Sequence, residues 1–77
     1  MNEMELLEYT REKAVYSFTP SGEGEPGEIE YVFKDGEARV KKPAGNTSPS
    51  FAHHAILAVE KRVKENNLPI KFINAWY

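Results

Sequence analysis

The chain contains no cysteine. That excludes a disulfide framework and any metal site built on thiolates. It also lacks a long apolar run. The longest, Ala55 to Val59, is far short of the roughly 20 residues that a membrane-spanning helix needs. The start, Met1 to Glu5, is acidic, the reverse of the basic opening of a secretory signal. The expected location is cytoplasmic, with no membrane partner. Glycine and proline are few, five each, and three glycines and two prolines fall within residues 20–27. That stretch reads as a flexible loop and leaves the rest of the chain free for regular structure. Acids are scarce after residue 38, where only Glu60 and Glu65 stand against seven bases; residues 1–38 hold ten acids and three bases. The halves thus carry −7 and +5, which sum to the net −2. Such polarity is either neutralised internally or offers a basic surface to an anionic partner.

Seventy-seven residues make one domain spanning 1–77, near the lower size at which a single apolar core suffices. Hydrophobic residues make up 40% of the chain, with four Phe, four Tyr and one Trp, enough for a packed core but for only about 3–5 kcal/mol of net stability. No internal repeat is visible.

The strongest local pattern runs from Glu28 to Lys42, where two alternating segments flank Asp35-Gly36. That dipeptide is the preferred chemistry of a type I′ hairpin turn. A two-residue loop sets Val32 opposite Arg39, Tyr31 opposite Val40 and Glu30 opposite Lys41. Ile29, Tyr31, Phe33, Ala38 and Val40 then share one side, and opposite charges meet on the other. Upstream, Ala14 to Thr19 alternates as a strand with Tyr16 and Phe18 toward the core. Asn2 is read as the cap of a short N-terminal helix carrying Met4, Leu6 and Leu7; the alternative is that Thr10 to Lys13 extends the following strand.

Ser48-Pro49 places a capping side chain ahead of a first-turn proline. Asn66-Asn67-Leu68-Pro69 supplies a left-handed residue and then a stop. Between them, Phe51, Ala52, Ala55, Ile56, Val59 and Val63 line one side of a helix. Pairs Glu60–Lys64 and Lys61–Glu65, four apart, suit helix support. The final segment, residues 70–77, is apolar on both faces, as in a strand covered on two sides. A chain this small cannot cover both faces of every strand, so a partner subunit or a local pocket is expected there. The expected fold class is therefore α+β: a short N-terminal helix, a three-stranded antiparallel meander with a type I′ Asp-Gly hairpin, one long covering helix and a C-terminal strand. A right-handed crossover through the helix sets the final strand parallel to the preceding one if both join one sheet.

The order helix, three strands, helix over residues 3–67 is similar to that of double-stranded RNA-binding domains. That resemblance implies a lysine cluster gripping phosphates at the start of the second helix. Here the stretch is Ser48-Pro-Ser-Phe-Ala52, and Lys41 and Lys42 end the preceding strand instead. No functional residue carries over.

Chemistry-bearing constellations are sparse. His53 and His54 are adjacent, whereas two ligands on one helix need a spacing of three or four to converge; neither a metal nor another cofactor is expected. Ser48 and Ser50 lie near the histidines without any oxyanion-hole signal. Gly22, Gly24 and Gly27 lack the strand–glycine–helix context of a phosphate cradle. No catalytic residue is assigned, and an enzyme is not expected. Opposite the helix's apolar stripe lie His53, His54, Leu57, Lys61 and Lys64, a solvated face or a docking patch for an acidic segment with one apolar anchor. Phe72, Ile73, Trp76 and Tyr77 form the candidate self-association surface. Arg39, Lys41 and Lys42 are the candidate anion-binding group. Three functions follow in order: a non-catalytic interaction module that homo-oligomerises through its last strand, a nucleic-acid binder using the basic half, and a ligand-binding protein with a pocket under the 20–27 loop.

Overall fold

The computed structural model describes residues 1–45 and 49–76. Five strands and one helix follow in the order β1 (Asn2–Tyr9), β2 (Lys13–Pro20), β3 (Gly27–Val32), β4 (Glu37–Lys42), α1 (Pro49–Lys64) and β5 (Lys71–Asn74). The strands form one sheet in the order β4-β3-β2-β1-β5, and each neighbouring pair is antiparallel. The chain is thus α+β, with α1 laid on one face of the sheet.

The expected N-terminal helix is instead β1. Residues Asn2, Met4 and Leu6 alternate with Glu3 and Glu5, and this period of two sets the buried residues on the helix side. Glutamate favours helix intrinsically, but pairing on both flanks, with β2 and with β5, overrides that weak preference. A bulge between Leu6 and Glu8 breaks the alternation and hides it from a pattern search. Leu7, beside that bulge, is half exposed. With a strand first, the order shared with double-stranded RNA-binding domains is lost.

The β3–β4 hairpin also departs from expectation. Glu30 pairs with Arg39 and Val32 with Glu37, a slide of two residues that keeps Ile29, Tyr31, Ala38 and Val40 on one face. A register shift between Glu28 and Ile29 then sets Lys42 opposite Glu28. The loop is Phe33–Gly36, closed by Asp35 and Gly36 N–H groups that donate to the Val32 carbonyl at 3.0 Å each. Of the two turn residues only Gly36 takes a positive φ, 73°, whereas type I′ requires it of both. The reason lies outside the hairpin: the Phe33 N–H donates to the Glu12 carbonyl at 3.0 Å, and its ring meets those of Tyr9 and Tyr31. The β1–β2 turn draws Phe33 out of the ladder.

Met4, Tyr16, Phe18 and Ile29 on the sheet meet Ala55 and Val59 on α1, all at most 2% exposed. Ala52, Ile56 and Val63 flank them as the wheel predicts, while Val40, expected inside, is 40% exposed at the sheet edge. Tyr16 does two jobs. Its ring fills the core, and its hydroxyl donates to the Pro69 carbonyl at 2.5 Å, tying the segment after the helix to the sheet. Burial raises the Tyr16 hydroxyl above its usual titration range, which keeps it a donor.

At the helix start Pro49 stands first, as expected; Ser48, its expected cap, lies outside the described residues. At the end, Asn66 adopts φ 54° and donates to Val63, while Asn67 donates to Arg62. These two bonds make a Schellman motif on the asparagine that the sequence points to. Lys61, Arg62 and Lys64 sit in the last turn, favourable to the helix dipole. Glu60 does not turn to Lys64; its carboxylate reaches β4 instead.

The sheet face away from α1 carries charge. Lys13 lies 3.7 Å from Glu8 and 3.5 Å from Glu30, and Arg39 lies 3.2 Å from Glu30. Val15, between Glu8 and Glu30 in the ladder, is 2% exposed beside this network. Internal neutralisation of the two halves is therefore real, though through Arg39 rather than Lys41. The Arg39 guanidinium, aided by Lys13, holds the Glu30 carboxyl below its ordinary 4.5. A carboxyl depressed on folding stabilises the native state above the unfolded pKa and loses that contribution as pH falls through the folded one. Arg39→Gln should thus raise the Glu30 titration toward 4.5 and shrink the acid-induced loss of stability. Carboxyl-detected NMR titration, with urea unfolding at neutral and acid pH, reads both effects; an unmoved Glu30 midpoint would show that the ion pair is electrostatically idle.

Candidate interaction surfaces

The sheet has two edges, and they differ. On β4 the Ala38 N–H donates to Glu60 Oε2 at 3.1 Å, so a helix carboxylate occupies one backbone group of that strand. Arg39, Lys41 and Lys42 along it are exposed, and charge on an edge disfavours strand addition. Two of these three candidate anion-binding residues already face acids of their own chain: Arg39 meets Glu30, and Lys42 lies 3.5 Å from Glu25.

On the opposite edge, β5 pairs with β1 on one side, and its other side meets no strand among the described residues. The Leu6 N–H donates to the Ile70 carbonyl at 2.8 Å. Antiparallel ladders alternate, so Phe72 and Asn74 also turn their backbone groups to β1, while Lys71 and Ile73 present theirs outward. Ile70 is 70% and Ile73 53% exposed. Lys71 is the single charge on this strand, 3.7 Å from Glu5. Because β5 is antiparallel to β1, it runs in the same direction as β4, as expected, but at the far side of the sheet.

The candidate self-association residues separate by face. Phe72 points inward, edge-on to Tyr16 at 5.4 Å with the Arg62 guanidinium 3.6 Å above its ring, a favourable cation–π placement. Ile73 points outward. Trp76 folds back on α1, stacked on His54 at 4.1 Å and edge-on to Phe51 at 5.5 Å. Tyr77 lies outside the described residues. Among the described residues, the β5 segment is therefore covered on one face only.

This fold-back joins two regions that the sequence treats separately. A cleft of about 280 Å³ between α1 and the end of the chain is lined by His54, Leu57, Lys61, Arg62, Ile73 and Trp76, among others. The helix patch and the terminal aromatic thus share one surface. Leu57 is 48% exposed, and His53 and Lys61 are exposed beside it; Lys64 is exposed at the last turn. Arg62 was missed by the sequence reading because its position over Phe72 depends on where β5 docks. Among the described residues, no group of three or more His, Asp or Glu side chains is placed to hold a metal ion. No helix among them is long and apolar enough to cross a membrane.

On the open face, a hollow of about 530 Å³ is lined by residues that include Glu3, Glu5, Ser17, Thr19 and Lys71, with Gly22 of the 20–27 loop at its rim. The loop shortens to residues 21–26, because Pro20 ends β2 and Gly27 begins β3. His53 and His54 do not reach this hollow. Asn2 joins three elements: its side-chain amide donates to the Phe51 carbonyl at 2.9 Å and to Asn74 Oδ1 at 3.2 Å. The start of β1, the first turn of α1 and the end of β5 are thereby held together at the C-terminal edge.

No family model matches this chain, and neither do any curated protein or solved structure.

Proposed function

We propose that this chain is a non-catalytic interaction module that self-associates by adding the β5 edge of one copy to that of another. The observation that carries the reading is the asymmetry of the two edges. The β4 edge has Glu60 bonded to its backbone and bears Arg39, Lys41 and Lys42, whereas β5 leaves its outward backbone groups beside exposed Ile70 and Ile73. An open apolar edge is a template for strand addition. Four residues of pairing make a small interface, well below the roughly 1,200–2,000 Å² of stable complexes, so the dimer is weak and concentration-dependent.

The nucleic-acid reading draws less support. Arg39 and Lys42, two of its three candidate anion-binding residues, are paired with acids of the chain. It would require binding that weakens steeply with salt.

Light scattering at two protein concentrations tests the proposal, comparing the intact chain with Ile73→Lys. The intact chain should shift with concentration from the 8.8 kDa monomer toward twice that mass. Ile73 is exposed in the monomer, so its replacement leaves the fold intact, which a thermal melt checks. In the dimer it would bury an unpaired ammonium, raising the dissociation constant by tenfold or more, where each factor of ten is about 1.4 kcal/mol. An intact chain that stays monomeric at millimolar concentration removes the proposal.

A further inference from the structure

We infer that the two copies pair antiparallel about Ile73, with Ile73 opposite Ile73 of the second copy, Lys71 opposite Ala75 and Ile70 opposite Trp76. This register rests on the β5-edge reading above and makes it specific.

Symmetry narrows the choices. Antiparallel pairing of a strand with its own copy needs a twofold axis perpendicular to the sheet, which keeps each face of the sheet on its own side. Facing residues must therefore come from the same face, and the axis passes through a residue rather than between two. Four registers follow within β5, centred on Lys71, Phe72, Ile73 or Asn74.

Centring on Lys71 sets two ammonium groups directly opposite each other, which is destabilising. Centring on Phe72 sets the outward backbone of Ala75 against Pro69, which has no N–H to give, and leaves exposed Ile70 opposite Asn74. Centring on Asn74 pairs Ile73 with Ala75 and shifts exposed Ile70 out of the paired stretch. Centring on Ile73 avoids all three faults. The β5 backbone groups turned outward belong to Lys71 and Ile73, and the same alternation carried one residue past β5 adds Ala75. In this register they meet as Lys71–Ala75, Ile73–Ile73 and Ala75–Lys71, so every outward donor faces an acceptor. The side chains agree. On the open face Ile73, 53% exposed, covers its own copy, and the aliphatic stem of Lys71 crosses Ala75. On the helix face Ile70, 70% exposed, meets the Trp76 ring that is stacked on His54. The two most accessible apolar side chains of the edge are buried by one register, which also lays both copies of α1 on the same side of a ten-stranded sheet.

The absence of cysteine gives a clean test. Residues exchanging hydrogen bonds across antiparallel strands sit about 5.5 Å apart at Cα, within the span of a disulfide. Lys71→Cys and Ala75→Cys chains, one carrying an affinity tag, are mixed at dimer-forming concentration and oxidised with oxidised glutathione; Lys71→Cys with Ile73→Cys is the comparison. All three positions are exposed, so folding is preserved. The expected result is a mixed disulfide between Lys71→Cys and Ala75→Cys in several-fold excess over that between Lys71→Cys and Ile73→Cys, with Lys71→Cys alone giving no self-linked product. Preferential linkage of Lys71→Cys to Ile73→Cys would place the axis at Phe72, and self-linkage of Lys71→Cys would place it at Lys71. Either overturns the register while leaving the β5 interface standing. Linkage of Ile73→Cys to Ala75→Cys, mixed in the same way, would place the axis at Asn74 and overturn the register too. No linkage from any of these pairs, with a dimer still seen by light scattering, would move the interface off β5. A monomer by scattering would remove both inferences.

Discussion

Phe18→Ala is expected to abolish the cooperative unfolding transition at room temperature. Phe18 is 1% exposed and stands in the middle of the sheet, paired across to Met4 on β1 and Gly27 on β3. It belongs to the same buried cluster as Ala55 and Val59 of the helix. Truncating a fully buried phenylalanine costs about 3–5 kcal/mol, the sum of lost transfer energy and the cavity left behind. A domain of this size holds only about 3–5 kcal/mol in total. The two magnitudes meet, so most of the population should be unfolded in water. Far-UV circular dichroism against urea reads this directly. A retained sigmoidal transition, displaced by less than about 1 kcal/mol, would show that the site collapses around the missing ring and that the core is centred elsewhere.

Gly27→Ala should be the second most damaging change, through a methyl added rather than removed. A Cβ at Gly27 would lie 2.5 Å from the Ala44 backbone nitrogen and 2.5 Å from two atoms of the Phe18 ring. Gly27 is the first residue of β3, and the chain after β4 passes close over it. The ring could turn, but backbone cannot yield without pulling Ala44 and its neighbours away from the sheet. Overpacking of this kind costs about 1–3 kcal/mol. For a domain of 60–100 residues each kcal/mol moves the melting temperature by about 4–8 °C, so a fall of roughly 10–20 °C is expected. Gly24→Ala is the control, because its Cβ would meet nothing within 4 Å, although its φ of 86° still adds strain. Equal melting temperatures for the two variants would mean that the approach of Ala44 to Gly27 does not exist in solution.

Much of this fold is legible in the residues. Ala14 to Thr19 alternates and forms β2 with Tyr16 and Phe18 inward. The stripe from Ala52 to Val63 is the buried side of α1, and Asn66 ends it in the left-handed conformation. These features depend on contacts within a few residues, or on one face being apolar, and both leave a periodic trace. Where the trace is interrupted, reading fails. The bulge at Leu7 masks the alternation of β1, so helix-favouring glutamates carry the wrong message. The Asp35-Gly36 pair does mark a turn, but a hydrogen bond from Phe33 to Glu12, 21 positions back in the chain, lengthens the loop.

The interaction surfaces divide in the same way. His53, Leu57 and Lys61 appear on a helical wheel because their exposure follows from the opposite side being apolar. Their junction with Trp76 does not, since it requires the chain to return along the far edge of the sheet. Glu60 offers no sequence signal for its bond to Ala38, and an i,i+4 partner at Lys64 gives it a sufficient local explanation.

The sequence alone determined the α+β class, the single long helix and its ends, the faces of β2 and β3, and an excess of apolar residues at the C-terminus. Each rests on local periodicity or composition, which the covalent order carries directly. Tertiary structure decided that the N-terminus is a strand, that β5 pairs with it rather than with β4, and that one edge has its backbone engaged by Glu60 while the other meets no further strand among the described residues. Those outcomes turn on pairings between distant segments: Met4 and Phe72 lie 68 positions apart, and Ala38 and Glu60 lie 22 apart. Their free energy comes from two distant segments burying surface together, and neither segment records the other in its own pattern.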